Sequence, residues 1–172
     1  SVTWTATDVN GNIATCTQTV NVTDNQNPVI TCPATANIGT DAGLCTSSAS
    51  IGTATATDNC SVASVVASPA GPYAVGTHTI TWTATDVNGN TATCTQTVNV
   101  TDTENPVITC PANIAVCDPG SPVVNFNVTA TDNCSVASIV STPASGSNFA
   151  PGVTTVNSVA TDANGNTSTC SF

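Results

Sequence analysis

The 32 residues Ile80–Pro111, ITWTATDVNGNTATCTQTVNVTDTENPVITCP, recur almost unchanged at Val2–Pro33, with 28 of 32 positions identical. A diverged third copy of the first half runs from Val156 to Cys170, so the unit returns every 76 to 78 residues. A chain of this kind is a tandem array, and each unit must fold with the modest core that so short a segment can bury. The fold of the whole array is therefore set by the content of one unit.

Within the stretch, Ile80, Trp82 and Ala84 alternate with Thr79, Thr81, Thr83 and Thr85. That is the period of a strand with one buried and one wet face. The alternation resumes after Asn90, with Cys94, Gln96, Val98 and Val100 on the inward parity. Joined by Asn88-Gly89, the two runs predict a β-hairpin with a tight primed turn. The proline of Thr101-Asp-Thr-Glu-Asn-Pro106 then stops strand pairing, so this segment reads as a linker between domains.

No window carries a helical stripe, and Val, Ile, Thr and Ala dominate, so the expected class is all-β. Six or seven short strands per unit, separated by turn signals, predict a small two-sheet sandwich. The expected organisation is the closing hairpin of a truncated domain at 1–24, a complete domain at 25–102, and a domain at 103–172 that lacks about six residues of its last strand. Val124, Phe126, Val128 and Ala130 are expected to form an inward row. Starting in mid-repeat and stopping in mid-strand, the chain reads as a window from a longer secreted polypeptide.

Composition bounds the function. Nine cysteines suit an oxidising, extracellular compartment, where each cross-link contributes about 2–4 kcal/mol to a thin core. Ten acidic residues stand against no lysine or arginine, which argues against nucleic acid and anionic membrane surfaces as partners. No apolar run approaches the roughly 20 residues of a membrane span. The single histidine, His78, occupies the place of Thr154 and reads as a solvated strand residue. With one histidine and no lysine, no nucleophile and base can be assembled, and catalysis is not expected. Trp4 and Trp82 read as core, and Tyr73 stands alone, without the exposed aromatic pair a sugar-binding face would use. Asn21, Asn59, Asn99, Asn127, Asn133 and Asn166 begin Asn-x-Ser/Thr sequons.

Four ordered motifs recur: Pro-Val-Ile-Thr-Cys-Pro at 28–33 and 106–111, Ala-Thr-Asp-Asn-Cys at 56–60 and 130–134, a Gly-x-x-x-Val/Ile step at 75–80 and 151–156, and Ala-Thr-Asp-x-Asn-Gly-Asn-x-x-x-Cys at 84–94 and 160–170. Together they resemble the hyalin repeat, or HYR, family. The resemblance implies an immunoglobulin-like sandwich, an extracellular setting and a part in adhesion. The lack of basic residues looks more like the tandem repeats of long secreted bacterial surface proteins of the Bacteroidota type.

Each full unit has four cysteines, which admit three pairings. The resemblance implies Cys32–Cys94 and Cys110–Cys170, which leaves Cys45–Cys60 and Cys117–Cys134 as the remaining pairs. Cys117 and Cys134 at opposite ends of one strand would lie too far apart to bond, so that choice stays open. Cys16 aligns with Cys94 and Cys170, and its partner is expected upstream of Ser1; a free thiol or an intermolecular bond is the rival reading.

In an immunoglobulin-like sandwich the linker, the B–C loop and the F–G turn share one pole. That pole gathers Asp24, Asn25, Asn27, Asp58, Asn59, Asp86, Asn88 and Asn90, and in the next unit Asp102, Glu104, Asn105, Asp132, Asn133, Asp162, Asn164 and Asn166. Two carboxylates about 5 Å apart at an effective dielectric near 20 repel by roughly 3 kcal/mol, and no cationic side chain offsets this. Calcium takes six to eight oxygen ligands of these kinds. The linkers are also similar to the Asp/Asn-rich linkers of cadherins, where calcium stiffens the joint. Single Asp and Asn residues serve equally well as turn formers; it is their convergence that points to metal.

The expectation is a non-enzymatic rod of repeats forming the stalk or filament of a cell-surface protein, with structural calcium at its joints. Its partners would be neighbouring repeats, other copies in a filament and a surface ligand. The alternative is a carbohydrate- or surface-binding accessory module of a secreted enzyme.

Overall fold

A computed structural model describes residues 1–117 and 120–172. The described residues contain strands and turns and no helix, in agreement with the all-β, immunoglobulin-type expectation. None of them forms a helix long and apolar enough to cross a membrane.

Three groups of strands follow one another. β1 (Val2–Thr7) and β2 (Ile13–Gln18) form an isolated antiparallel hairpin. Next come β3 (Val29–Thr31), β4 (Ala36–Gly39), β5 (Thr46–Ser47), β6 (Thr55–Thr57), β7 (Val62–Ser68), β8 (Tyr73–Ala74), β9 (Gly76–Asp86) and β10 (Thr91–Thr101). The last group is β11 (Val107–Thr109), β12 (Val123–Val124), β13 (Thr129–Thr131), β14 (Val136–Thr142), β15 (Ser147–Asn148), β16 (Asn157–Asp162) and β17 (Thr167–Ser171).

In the middle group a four-stranded sheet, β4-β10-β9-β7, faces the pairs β3-β6 and β5-β8. Between them lie Ala54, Tyr73, Ile80, Trp82, Val98 and Val100, all buried. The inward parity read from the sequence is the buried one: Ile80 and Ala84 are fully buried, and Gln96 sits among the apolar side chains at 2% exposure. Gln96 is tolerated there because its amide is fully used. Its Oε1 accepts from Trp82 Nε1 at 2.9 Å, and its Nε2 donates to the carbonyls of Ala34 and Ile51 at 2.8 and 2.7 Å.

The last group repeats the plan with β14-β16-β17 against β11-β13 and β12-β15. Ser158 stands where Trp82 stands in the unit before; it is buried and shares a 2.8 Å hydrogen bond with Ser141. Val124, Phe126, Val128 and Ala130 are half-buried and alternate with exposed neighbours.

Three sequence expectations need correction. The hairpin turn is not a primed two-residue turn, because a positive φ occurs at Gly89 (93°) and not at Asn88. Gly89 N donates to Asp86 O and Asp86 N to Asn90 O, so the loop spans three residues and closes on a glycine bulge. His78 shares the parity of Ile80 and is half-buried, with Nε2 2.7 Å from Ala74 O and its ring 5.7 Å from that of Tyr73. Trp4 is 59% exposed, since β1 and β2 have no second sheet packed on them here, although its indole still donates to Gln18 as Trp82 does to Gln96.

Candidate metal centres

Each sandwich presents one acidic pole, built from three separate segments. In the middle unit the linker before β3 supplies Asp24, the loop between β6 and β7 supplies Asp58, and the end of β9 supplies Asp86. In the next unit the same places hold Asp102, Asp132 and Asp162. Within each trio, one carboxylate oxygen per residue lies within 4.8 Å of the other two.

Local hydrogen bonds aim these side chains. Asp86 Oδ1 accepts from the amides of Asn88 and Asn90 at 2.9 and 2.8 Å, while Oδ2 accepts from Asn90 Nδ2 at 2.7 Å. Asp162 repeats this with Asn164 and Asn166. Burial pushes the Asp86 and Asp162 carboxyls up, but the donors from these asparagines and from Gly89 and Gly165 outweigh it, and both end below the ordinary aspartate value. Asp58 and Asp132 each use Oδ2 to accept from the amide of the cysteine two residues on, at 2.8 and 2.9 Å. The linker is tied in by Asn90 Nδ2, which donates to Asp24 O at 3.3 Å, and by Asn166 Nδ2, which donates to Asp102 O at 3.2 Å.

What remains is a set of acceptors with nothing to accept. Asp24 Oδ2, Asp102 Oδ2, Asp132 Oδ1 and Asn133 Oδ1 are buried without a hydrogen-bond partner. Asp102 itself is 4% exposed and Asp162 2%. A buried anionic oxygen without a donor is costly, and the chain has no lysine or arginine to supply one. Hard oxygens in this number fit a divalent cation.

The other residues expected at the poles take different parts. Asn88 and Asn164 contribute backbone amides and are themselves exposed. Asn25, Asn27 and Asn105 are exposed linker residues. Glu104 reaches back across the joint, its Oε1 accepting from Gly43 N at 2.8 Å. The preceding unit's own contributions were not foreseen. Thr40 Oγ1 donates to Asp102 Oδ1 at 3.3 Å, and Leu44 O accepts from Asn133 Nδ2 at 2.9 Å. The loop after β4 gives no sequence signal for this, because its contacts depend on how two units stack.

The cysteines mark the same joint. Cys32 is bonded to Cys94 and Cys110 to Cys170, each within one sandwich. Cys45 is bonded to Cys134 across a sequence separation of 89, with a Cα–Cα distance of 4.7 Å. The pairs Cys45–Cys60 and Cys117–Cys134 are therefore incorrect. Cys45 and Cys60 lie at opposite poles of their sandwich, and it is the neighbouring unit's pole that comes within bonding reach of Cys45. Cys16, Cys60 and Cys117 are free thiols. Hydrogen bonding to Asp24 pushes the Cys60 thiol up, with burial and the nearby carboxylates adding to it.

A cavity of 470 Å³ in the last unit is lined by Ile114, Val124, Phe126, Phe149, Val156 and Phe172 among others, and among the described residues no titratable side chain lines it.

The chain is similar in structure to protocadherin gamma B7 extracellular cadherin domains 1–4, with TM-score 0.43 and 12% identity. The match covers 99% of this chain but only 63% of that one, so the chain spans less than two thirds of that structure's length. No curated protein matches the sequence. The family model for the HYR domain matches residues 23–100 and again 101–172. The ordered cysteine, Asp-Asn and Asn-Gly motifs, the paired sandwiches and this double match agree: the chain belongs to the HYR domain family.

Proposed function

We propose that this chain is a non-enzymatic segment of an extracellular adhesive or structural array, with units at 1–24, 25–102 and 103–172 stacked end to end and calcium bound at each joint. The observation that carries this reading is the joint at Asp102. Three buried oxygens there, on Asp102, Asp132 and Asn133, lack a donor in a protein without a single lysine or arginine.

The function is mechanical. A linker aspartate that ends one unit meets two aspartates that belong to the next, so a cation held among them couples the two bodies. Bound calcium would supply positive charge and six to eight coordination sites, and so convert mutual repulsion into a clamp. Asn90 and Asn166 hold the turn aspartate and the linker carbonyl together, so each pole is pre-shaped. Glu104 and Asn133 add contacts to the preceding unit. Three disulfides support an oxidising, extracellular location. The setting proposed is a long secreted surface protein of bacterial type, with neighbouring repeats, other copies in a filament and a surface ligand as partners.

Calcium titration of the chelator-treated protein by calorimetry tests the reading. Two ions per chain are expected, together with a higher melting temperature in calcium than in excess EDTA. Absence of binding heat with coincident melts would overturn it.

A further inference from the structure

The joint between the second and third units is closed by Cys45–Cys134, yet the chain carries one more copy of each half of that bond. Residues 55–64 and 129–138 are the same ten residues, Thr-Ala-Thr-Asp-Asn-Cys-Ser-Val-Ala-Ser. The structure places Cys60 as it places Cys134. Cys60 N donates to Asp58 Oδ2 at 2.8 Å, and Cys134 N to Asp132 Oδ2 at 2.9 Å. Ser61 O accepts from Val87 N at 3.2 Å, and Ser135 O from Ala163 N at 3.0 Å. Both cysteines therefore sit on the rim of an acidic pole, at the face on which a preceding unit stacks. The difference is that Cys134 is half-buried against its partner, whereas Cys60 is exposed. Cys117 lies between Cys110 and β12, as Cys45 lies between Cys32 and β5 in the unit before, and like Cys60 it is exposed.

We propose that Cys60 and Cys117 are the open halves of a disulfide that repeats at every joint. Cys60 takes a Cys45-type cysteine from a preceding HYR unit, and Cys117 takes a Cys134-type cysteine from a following one. The partner is thus a cysteine-bearing HYR unit stacked head to tail, and it has two sources: the same polypeptide or a second copy of this chain. Bond formation is a double exchange with a small-molecule disulfide such as oxidised glutathione. One cysteine thiolate attacks the glutathione disulfide, forms a mixed disulfide and releases one glutathione thiolate. The facing cysteine thiolate then attacks the protein sulfur of that mixed disulfide and releases the second. The two cysteines are oxidised, one glutathione disulfide is reduced to two thiols, and two protons pass from the cysteines to the released thiolates. The result is an array in which each unit is bonded internally and to both neighbours, independently of any metal.

The test uses the full chain with a second copy of residues 25–102 inserted after Asp102, folded in a glutathione redox buffer with EDTA. Free thiols are alkylated, and the chain is cleaved at acidic residues under non-reducing conditions for mass spectrometry. A peptide joining Cys45 of the first copy to Cys60 of the second is expected, which leaves one alkylated Cys60 of the two. The unmodified chain, treated alike, tests the second source through a Cys60–Cys117 peptide in covalent dimers. Either peptide supports the proposal and identifies the source. If both Cys60 residues are alkylated, and the unmodified chain stays monomeric with its Cys60 alkylated, the proposal is overturned, provided that the Cys32–Cys94 peptide confirms folding. The EDTA separates this result from any failure of calcium binding.

Discussion

Cys45 and Cys134 are 89 residues apart in sequence and 4.7 Å apart at Cα, and their bond joins two sandwiches. Cys32–Cys94 instead closes a loop of 62 residues inside one. The two bonds should therefore affect different properties. Replacing Cys32 and Cys94 by serine is expected to lower the stability of the middle unit by about 2–4 kcal/mol in chemical denaturation. Replacing Cys45 and Cys134 should leave the unit's midpoint nearly unchanged while increasing the radius-of-gyration spread in small-angle scattering, because it frees a joint and exposes no core. Equal loss of unit stability in both variants would contradict this division.

Asp102→Ala removes the linker carboxylate from the third unit's pole and leaves the other trio intact. Calorimetry is expected to give one calcium per chain where the parent gives two, and the EDTA-sensitive part of the melt should shrink correspondingly. A Thr101→Ala control, altering an exposed residue beside it, should keep both sites.

Gln96→Leu removes the acceptor of the Trp82 indole and the donor to Ala34 and Ile51. Leucine fills the space but strands these polar groups, at a cost of about 1–3 kcal/mol for each one that stays buried and dry. A loss of roughly 3 kcal/mol is expected. Indifference to the change would mean that the amide serves only as volume.

Asp86 and Asp162 have folded carboxyls held below the ordinary value, whereas unfolded aspartate titrates near about 3.9. Their contribution is thus complete above about pH 5 and lost as pH falls through the depressed folded value. Melts in EDTA should be level between pH 7 and 5 and decline below about pH 4. An Asp86→Asn, Asp162→Asn double variant should show a flatter acid limb, and an identical limb would reject these two residues as its source.

Much of this molecule could be read before folding it. The alternation of Ile80, Trp82 and Ala84 with threonine determined which face is buried, since strand side chains have a period of two and only one parity was apolar. The inward parity even included Gln96, whose burial needs partners that the sequence does not reveal. The two aspartate trios were also legible, because their segments share a pole in the immunoglobulin-like sandwich that the family resemblance implies. Tertiary structure decided everything that depends on how units stack. Cysteine pairing is a matter of distance through space, so the family resemblance left Cys60 as the remaining partner within the unit while the stacked pole brought Cys134 to Cys45. The same holds for Glu104, a metal candidate in the sequence that instead accepts from Gly43. Trp4 has the sequence of a core residue and an exposed surface, because hydrophobic patterning selects a face but only a packed second sheet buries it.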